Sequence, residues 1–420
     1  MMSMSDWNIV TRSMRTRFFS SVVTIFSVAI ACGLVTLLIS MRDAGENSFK
    51  RGTGNVQMLI SKESGQLPSV LNSMFYAQAP GNAITWGEYL KLKQSYPFAW
   101  AVPTQLGDSY QDAPVMSTDE SFFTRFQPAL GTEWSLSEGA FFDKPFQVVL
   151  GFDAAQRLGL SIGDQVALEH GTPGTEGGHV HDEFKFAVVG VLDTTGTAHD
   201  RAIFTSLESS WIIHAHDRRE AIFGHGIVTT VEDLIDDDMK ITAVYASIGD
   251  RKAALISVLS SLRRDPDWTV ASPSDTVGSL FEIVSNIDQV LLAMAIAVML
   301  SSGVSILLAL YNSMEQRRKQ IAVLRVLGAS RVRVFGMVLT ESAIIGLLGG
   351  AIGIIIAVGA GIVVSGVLAQ RVGIVVEPAL PADGYFLIVL ASIAISCVAG
   401  ALPAIVAYRT SVVRALRPAM

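Results

Sequence analysis

The chain has 420 residues, half of them hydrophobic, and its mean hydropathy is +0.43. That length exceeds one ordinary domain, and that hydropathy argues against an ordinary soluble protein, so a membrane protein is the first expectation. The net charge is −7, no nucleic-acid partner is expected, and the two cysteines, Cys32 and Cys397, both fall in apolar runs, so no part outside a membrane relies on a disulfide.

In chain order, residues 1–17 form a short N-terminal segment with Arg12, Arg15 and Arg17. Residues 18–41, "FFSSVVTIFSVAIACGLVTLLISM", are uncharged. A bilayer core of about 30 Å takes about 20 helical residues. The run is longer than a signal-peptide core and has no convincing small-residue cleavage site, so it is expected to be a retained first span. Residues 42–282 contain no comparable run and form one large insertion. Three further spans are expected at 283–311, 334–368 and 385–408, separated by a loop at 312–333 and a short one at 369–384, with a tail at 409–420.

Charge suggests the orientation. Twelve of the 31 Lys and Arg lie before span one, between spans two and three, or after span four, whereas residues 42–282 carry 18 basic and 32 acidic residues. The positive-inside bias therefore puts both termini and the 312–333 loop in the cytoplasm of an inner-membrane protein, and the acidic insertion outside.

The insertion reads as mixed α and β. "NVQMLI" (55–60) alternates like a strand, and "TWGEYLKLKQSY" (85–96) has helical spacing with Thr85 as N-cap. "FQVVLG", "GDQVALEH", "FKFAVVGVL" and "DRAIFTSL" read as strands around the short helix "FDAAQRLGL". A strand "ITAVYASI" and a helix "DRKAALISVLSSLRRD" follow. Residues 131–225 are thus expected to be a β-rich insert within an α/β module. The expected fold class is four transmembrane helices with a large α/β extracytoplasmic domain.

All seven histidines lie between 170 and 225. His179 and His181 are two apart, and His214 and His216 repeat the spacing at the end of "SSWIIHAHD", so each pair shares a side if the chain is extended. With Asp182, Glu183 or Asp217 they would suit Zn2+ or another borderline divalent ion. The other reading is a set of solvated loop histidines beside a glycine-rich tract. No GxSxG, HExxH or CxxC accompanies them, so hydrolase chemistry has no motif behind it.

The segment "YNSMEQRRKQIAVLRVLGASRVRVFGMVLTESAIIGLLGGAIG" (311–353) is the most specific. Ile321, Leu324 and Leu327 mark one apolar face of a cationic helix that Gly328 ends. Such a helix rests on anionic lipid or docks into a cytoplasmic partner. Gly346 with Gly350 and Gly349 with Gly353 form small-xxx-small pairs that serve packing within the chain or a dimer seam. Glu341, near the cytoplasmic end of span three, reads as a structural ion-pair partner of Arg331 or Arg333.

The run Glu315, Arg317, Ile321, Leu324, Arg325, Leu327, Gly328, Ala329, Ser330, followed by Glu341 and the glycines, resembles the FtsX-like permease domain of MacB-type (type VII) ABC transporters. Gln320 stands where relatives usually have Glu. "VVLGFDAAQRLGLSIGDQVAL" and "FAVVGVLDTTGTAHDRAIFTSLE" look like the β-rich insert of such permeases. The resemblance implies a homodimer in the bilayer that binds two copies of a separate cytoplasmic ATPase, which brings the ATP and Mg. The helix around 315–329 would be the coupling helix, and the external domain would move with ATP hydrolysis, an arrangement called mechanotransmission. The chain has no GxxxxGK[ST], so it is expected to be a non-catalytic subunit. The external domain would handle a substrate or engage a periplasmic adaptor or substrate-binding protein. Two alternatives stay open: a zinc-linked transport system using the histidine-rich insert, and an FtsX-like regulatory complex that acts on a periplasmic protein and transports nothing.

Overall fold

The computed structural model describes residues 6–16, 18–170, 183–326, 328–372, 376 and 380–409. In chain order they form α1 (Asp6–Thr16), α2 (Phe18–Arg51), β1 (Met58–Ser61), α3 (Gln66–Phe75), β2 (Ile84–Thr85), α4 (Trp86–Ser95), β3 (Trp100–Tyr110) and β4 (Ala113–Thr118). Next come α5 (Ser121–Arg125), β5 (Leu136–Gly139), β6 (Gln147–Leu150), α6 (Phe152–Leu158), β7 (Gln165–Val166), β8 (Glu169–His170), β9 (Phe186–Leu192) and β10 (Ile203–Ser206). The rest are α7 (Leu207–Phe223), β11 (Lys240–Ile241), β12 (Ala243–Ser247), α8 (Lys252–Leu262), β13 (Thr269–Ala271), α9 (Pro273–Val326), α10 (Arg331–Val372) and α11 (Ala382–Arg409).

The chain divides into two compact units, one of Met1–Gly45, Val284–Ser365 and Glu377–Met420, the other of Glu46–Ile283 and Gly366–Val376. Four helices are long and apolar enough to cross a membrane, over Phe18–Arg51, Pro273–Asn312, Arg331–Leu368 and Ala382–Val406. Their outward side chains are apolar, with Ile355 70% and Val398 74% exposed, as lipid contact requires.

Two helices outrun the apolar spans expected for them. α2 continues past Met41 to Arg51, because "RDAGENSFKR" holds no proline and Lys50 pairs with Glu46 one turn back at 2.7 Å. α9 starts on Pro273 at its first position and holds no Gly or Pro from Val304 to Val326, so the expected coupling helix is the last part of α9 and no separate element. Gly328, at φ 98°, ends it, and Ser330 Oγ accepts from Arg333 N–H (3.2 Å) to begin α10.

Inside the first unit, Val28, Cys32, Ile306, Leu310, Ile345 and Ala399 form a shared core between α2, α9, α10 and α11. Polar seams fix the register: Ser302 Oγ donates to Ser27 O (3.0 Å), and Ser392 Oγ donates to Gly346 O (2.8 Å).

The second unit is built on one eleven-stranded mixed sheet in the order β13-β1-β12-β3-β4-β10-β6-β9-β5, with β7 on β9 and β8 on β3. β4 and β10 are parallel, from Ile203 opposite Val115 to Ser206 opposite Thr118. Two cores lie along it. Met58, Ile60, Tyr89, Trp211, Val244 and Leu262 belong to one, and Val148, Leu150, Phe186, Val188, Ile203 and Ile213 to the other. The β-rich insert is therefore no detached module. Its strand β10 fills the free edge of the β3–β4 hairpin, and the sheet runs through.

Two local expectations are corrected. "GDQVALEH" gives two short strands, because β7 pairs with β9 while β8 turns to β3, where His170 faces Asp108 across the ladder. "SSWIIHAHD" is helical and lies in α7. Ser206 Oγ caps it by accepting from Ser209 N–H (3.3 Å), no Gly or Pro follows until Gly224, and Trp211 and Ile213 anchor it in the two separate cores.

Candidate functional site

The cationic end of α9 holds the residues expected to meet an ATPase. Glu315, Arg317, Ile321 and Leu324 lie on the helix backbone, their side chains outside what is described, and Leu327 lies outside the described residues. Arg325 is half-buried, Ala322 is buried, and Val323 and Val326 are exposed one turn apart on the surface. Beyond the Gly328 turn, Arg331 lies over the Tyr408 ring (5.7 Å), beside a cavity of about 390 Å³ lined by Val332, Phe335, Ile405 and Tyr408. An apolar surface with Arg331 at its edge suits docking of a protein or lipid face.

The four paired glycines of α10, Gly346, Gly349, Gly350 and Gly353, are used within the chain. A Cβ on Gly353 would lie 2.6 Å from Ala29 O, and one on Gly349 would lie 2.6 Å from Val28, so this pair seats α2. A Cβ on Gly346 would lie 2.8 Å from Ser392 O, and one on Gly350 3.3 Å from Ser392 Cβ, so the other pair seats α11. Two neighbours thus approach α10 along two small-residue stripes. Glu341 is buried at 3% exposure.

The histidines do not form one pool. His199 is buried in the second unit, ringed by Phe122, Phe126 and Trp134 at 5.4–5.9 Å between ring centroids, with Nδ1 2.6 Å from Tyr76 Oη. Burial pushes its pKa down to about 3. Two positions apart on a helix are about 200° apart, so His214 and His216 diverge. His214 Nε2 accepts from Gln105 Nε2 (3.1 Å) at a polar cleft of about 470 Å³ shared with Arg218 and Asp238. His216 is 5% exposed, with Nδ1 3.1 Å from Thr229 Oγ1 and Nε2 3.4 Å from Glu183. The paired-histidine ligand set is corrected on that point, and half-buried Asp217, about 100° from His216, does not share its face. His179, His181 and Asp182 lie outside the described residues. His225 is exposed and contacts Glu220. Glu183, a carboxylate the sequence offers as a ligand, does lie beside His216, whereas sequence reading missed Glu220. The signal was the i,i+4 pair His216 and Glu220, visible only once the segment is taken as a helix.

A second cavity in the same unit, about 700 Å³, is walled by Trp86, Phe123, Phe141, Phe142 and Trp211, with Asp119, Glu120, Asp143 and Glu208 at its polar side. Burial raises the Asp119 carboxyl, against hydrogen bonds from Ser121 that lower it. The volume suits a drug-sized ligand.

Residues 292–412 match the family described as FtsX-like permease C-terminal, and residues 21–247 match the MacB-like periplasmic core domain. An uncharacterized ABC transporter permease of Mycobacterium tuberculosis is 23% identical over 400 residues, covering 93% of this chain and 40% of that protein. An uncharacterized ABC transporter permease of Methanocaldococcus jannaschii is 22% identical over 361 residues, covering 80% of this chain and 79% of that protein. The chain therefore spans well under half the length of the first of these relatives. Among solved structures, the extracellular domain of the noncanonic ABC-type transporter YknZ from Gram-positive bacteria aligns with a TM-score of 0.28 and 10% identity, over 51% of this chain and 99% of that one.

Proposed function

We propose a function for this chain from its family, for it belongs to the ABC transporter permeases of FtsX/MacB type. It is the permease subunit of a complex in which two copies of a separate cytoplasmic ATPase hydrolyse ATP, and it works as a homodimer. ATP-driven closure of the ATPases pushes on residues 315–328, and the movement reaches the extracytoplasmic unit as mechanical work on a substrate or a periplasmic partner. The observation that carries this reading is the continuity of α9, one helix from Pro273 to Val326 that holds both an apolar span and the cationic segment. A push on the cationic segment is carried along the stretch from Val304 to Val326, which holds no Gly or Pro, into the apolar span.

The test is ATPase turnover of the reconstituted complex. Arg325→Glu and Leu324→Asp should each break the link between hydrolysis and the extracytoplasmic unit. Hydrolysis then stops responding to conditions that stimulate the unaltered complex, while the permease stays folded in the membrane. Full response in both variants would remove the coupling role of this segment.

A further inference from the structure

A ring nitrogen of His216 and one carboxylate oxygen each of Glu183 and Glu220 lie within 4.8 Å of one another. We infer that Glu183, His216 and Glu220 form a binding site for a borderline divalent cation, with Zn2+ as its probe. This goes beyond the permease reading and does not depend on it.

The site follows from the local fold. His216 and Glu220 are i,i+4 on α7, so both side chains rise from one helix face. Glu183 comes from the strand side, three residues before β9, and Phe184 next to it packs edge-on against the His216 ring at 5.0 Å and 85°. The ring is thus held on one side by an aromatic neighbour. Thr229 Oγ1 holds its Nδ1 on the other, and Arg219 Nη1 donates to that same hydroxyl at 3.0 Å. Nε2 is left facing Glu183, with Glu220 close by.

The distances favour an ion over a simple pair. A separation of 3.4 Å between His216 Nε2 and Glu183 Oε2 is long for an N–H···O bond. Two ligands about 2.0–2.1 Å from a tetrahedral ion are about 3.3 Å apart, which is the edge seen here. When Nδ1–H donates to Thr229, Nε2 presents its lone pair toward the carboxylates, and three acceptors converging at a buried imidazole repel unless a cation lies among them. His225 contacts Glu220 Oε1 through Nδ1, and so helps to orient the carboxylate, as supporting groups around metal ligands do.

One imidazole and two carboxylates suit Zn2+ and its first-row neighbours better than Ca2+ or Mg2+, which take oxygen ligands alone. Three protein ligands leave a fourth position open to water or to a ligand carried by a donor molecule. The bound ion would tie the chain entering β9 to α7.

The test uses the full chain, purified in detergent and stripped of metal, with Zn2+ titrated by calorimetry. One Zn2+ should bind per chain and raise the thermal midpoint. Glu183→Gln, at an exposed position, and Glu220→Gln, at a half-buried one, should each weaken binding by about tenfold or more and leave the metal-free fold unchanged by circular dichroism. Co2+ in place of Zn2+ should give a tetrahedral visible spectrum that Glu220→Gln alters. Absence of binding overturns the proposal. So does binding that survives both carboxylate variants but is lost in His179→Ala with His181→Ala, because the ion then belongs to other histidines.

Discussion

At the scale of single residues, clustering in sequence does not become clustering in space. Seven histidines within 56 positions suggest one pool, yet His199 goes to an aromatic core, His214 to a cleft and His216 to a carboxylate pair. The divergence was not legible because "SSWIIHAHD" fits alternation and helical spacing alike, and only the packing of Trp211 and Ile213 in separate cores decides for the helix. His199 makes a prediction of its own. Its pKa is about 3 in the fold, against an ordinary value of 6.5, because burial penalises the imidazolium. Between those values the unfolded chain binds a proton that the folded one refuses, so this histidine's effect on stability is nil above about pH 6.5. It removes stability as pH falls toward 3, by at most about 1.4 kcal/mol per pH unit. The thermal midpoint of the full chain should therefore drop on acidification from pH 7 to 4.5, and His199→Gln should flatten that drop. An equal drop in the variant would assign the acid sensitivity elsewhere.

At the scale of elements, what the sequence shows depends on which physical filter acts. Bilayer thickness filters for uncharged runs, so all four spans were legible, whereas nothing in hydropathy marks where a helix continues into polar sequence, as α2 and α9 do. Local capping was legible too. Thr85 and Glu88 make the reciprocal capping box that the T-x-x-E spacing announces, and Glu88 also pairs with Lys62 Nζ at 2.7 Å. Thr85→Ala should lower unfolding stability by about 1 kcal/mol in a denaturant titration, with no change of fold. Strand ends were harder to read, because the pairing of β10 with β4 depends on residues about 90 positions apart. The glycines of α10 were legible as close contacts, but not as to what they touch. Gly353→Val would drive side-chain atoms into the α2 backbone at Ala29, whereas Gly359, whose Cβ would meet nothing within 4 Å, tolerates the same change. Overpacking costs about 1–3 kcal/mol, so Gly353→Val should lower the thermal midpoint in detergent and Gly359→Val should not. Equal effects would mean that the small residues serve helix flexibility rather than contact.

At the scale of the whole molecule, orientation is the property on which every functional statement depends, and the sequence argues it through charge. The short segments beside the spans hold 12 of the 31 Lys and Arg, and the long insertion, with 18 basic and 32 acidic residues, imposes no such constraint because long domains cross largely regardless of charge. The short segments therefore carry the orientation we propose, with the end of α9 on the side of the proposed ATPase and residues 42–282 on the far side. Only Cys32, which is buried, and Cys397, which is half-buried in α11, precede any engineered thiol, so replacing both with alanine gives a chain without reactive cysteines. Lys144→Cys and Val326→Cys then introduce single exposed thiols, one in the insertion and one at the end of α9. In intact spheroplasts a membrane-impermeant maleimide should label Lys144→Cys at once and Val326→Cys only after permeabilisation. The reverse pattern would turn the chain over and leave the cationic segment facing away from any cytoplasmic ATPase. Labelling of both in intact cells would require an odd number of crossings to become even between residues 144 and 326, and the single crossing by α9 would fail.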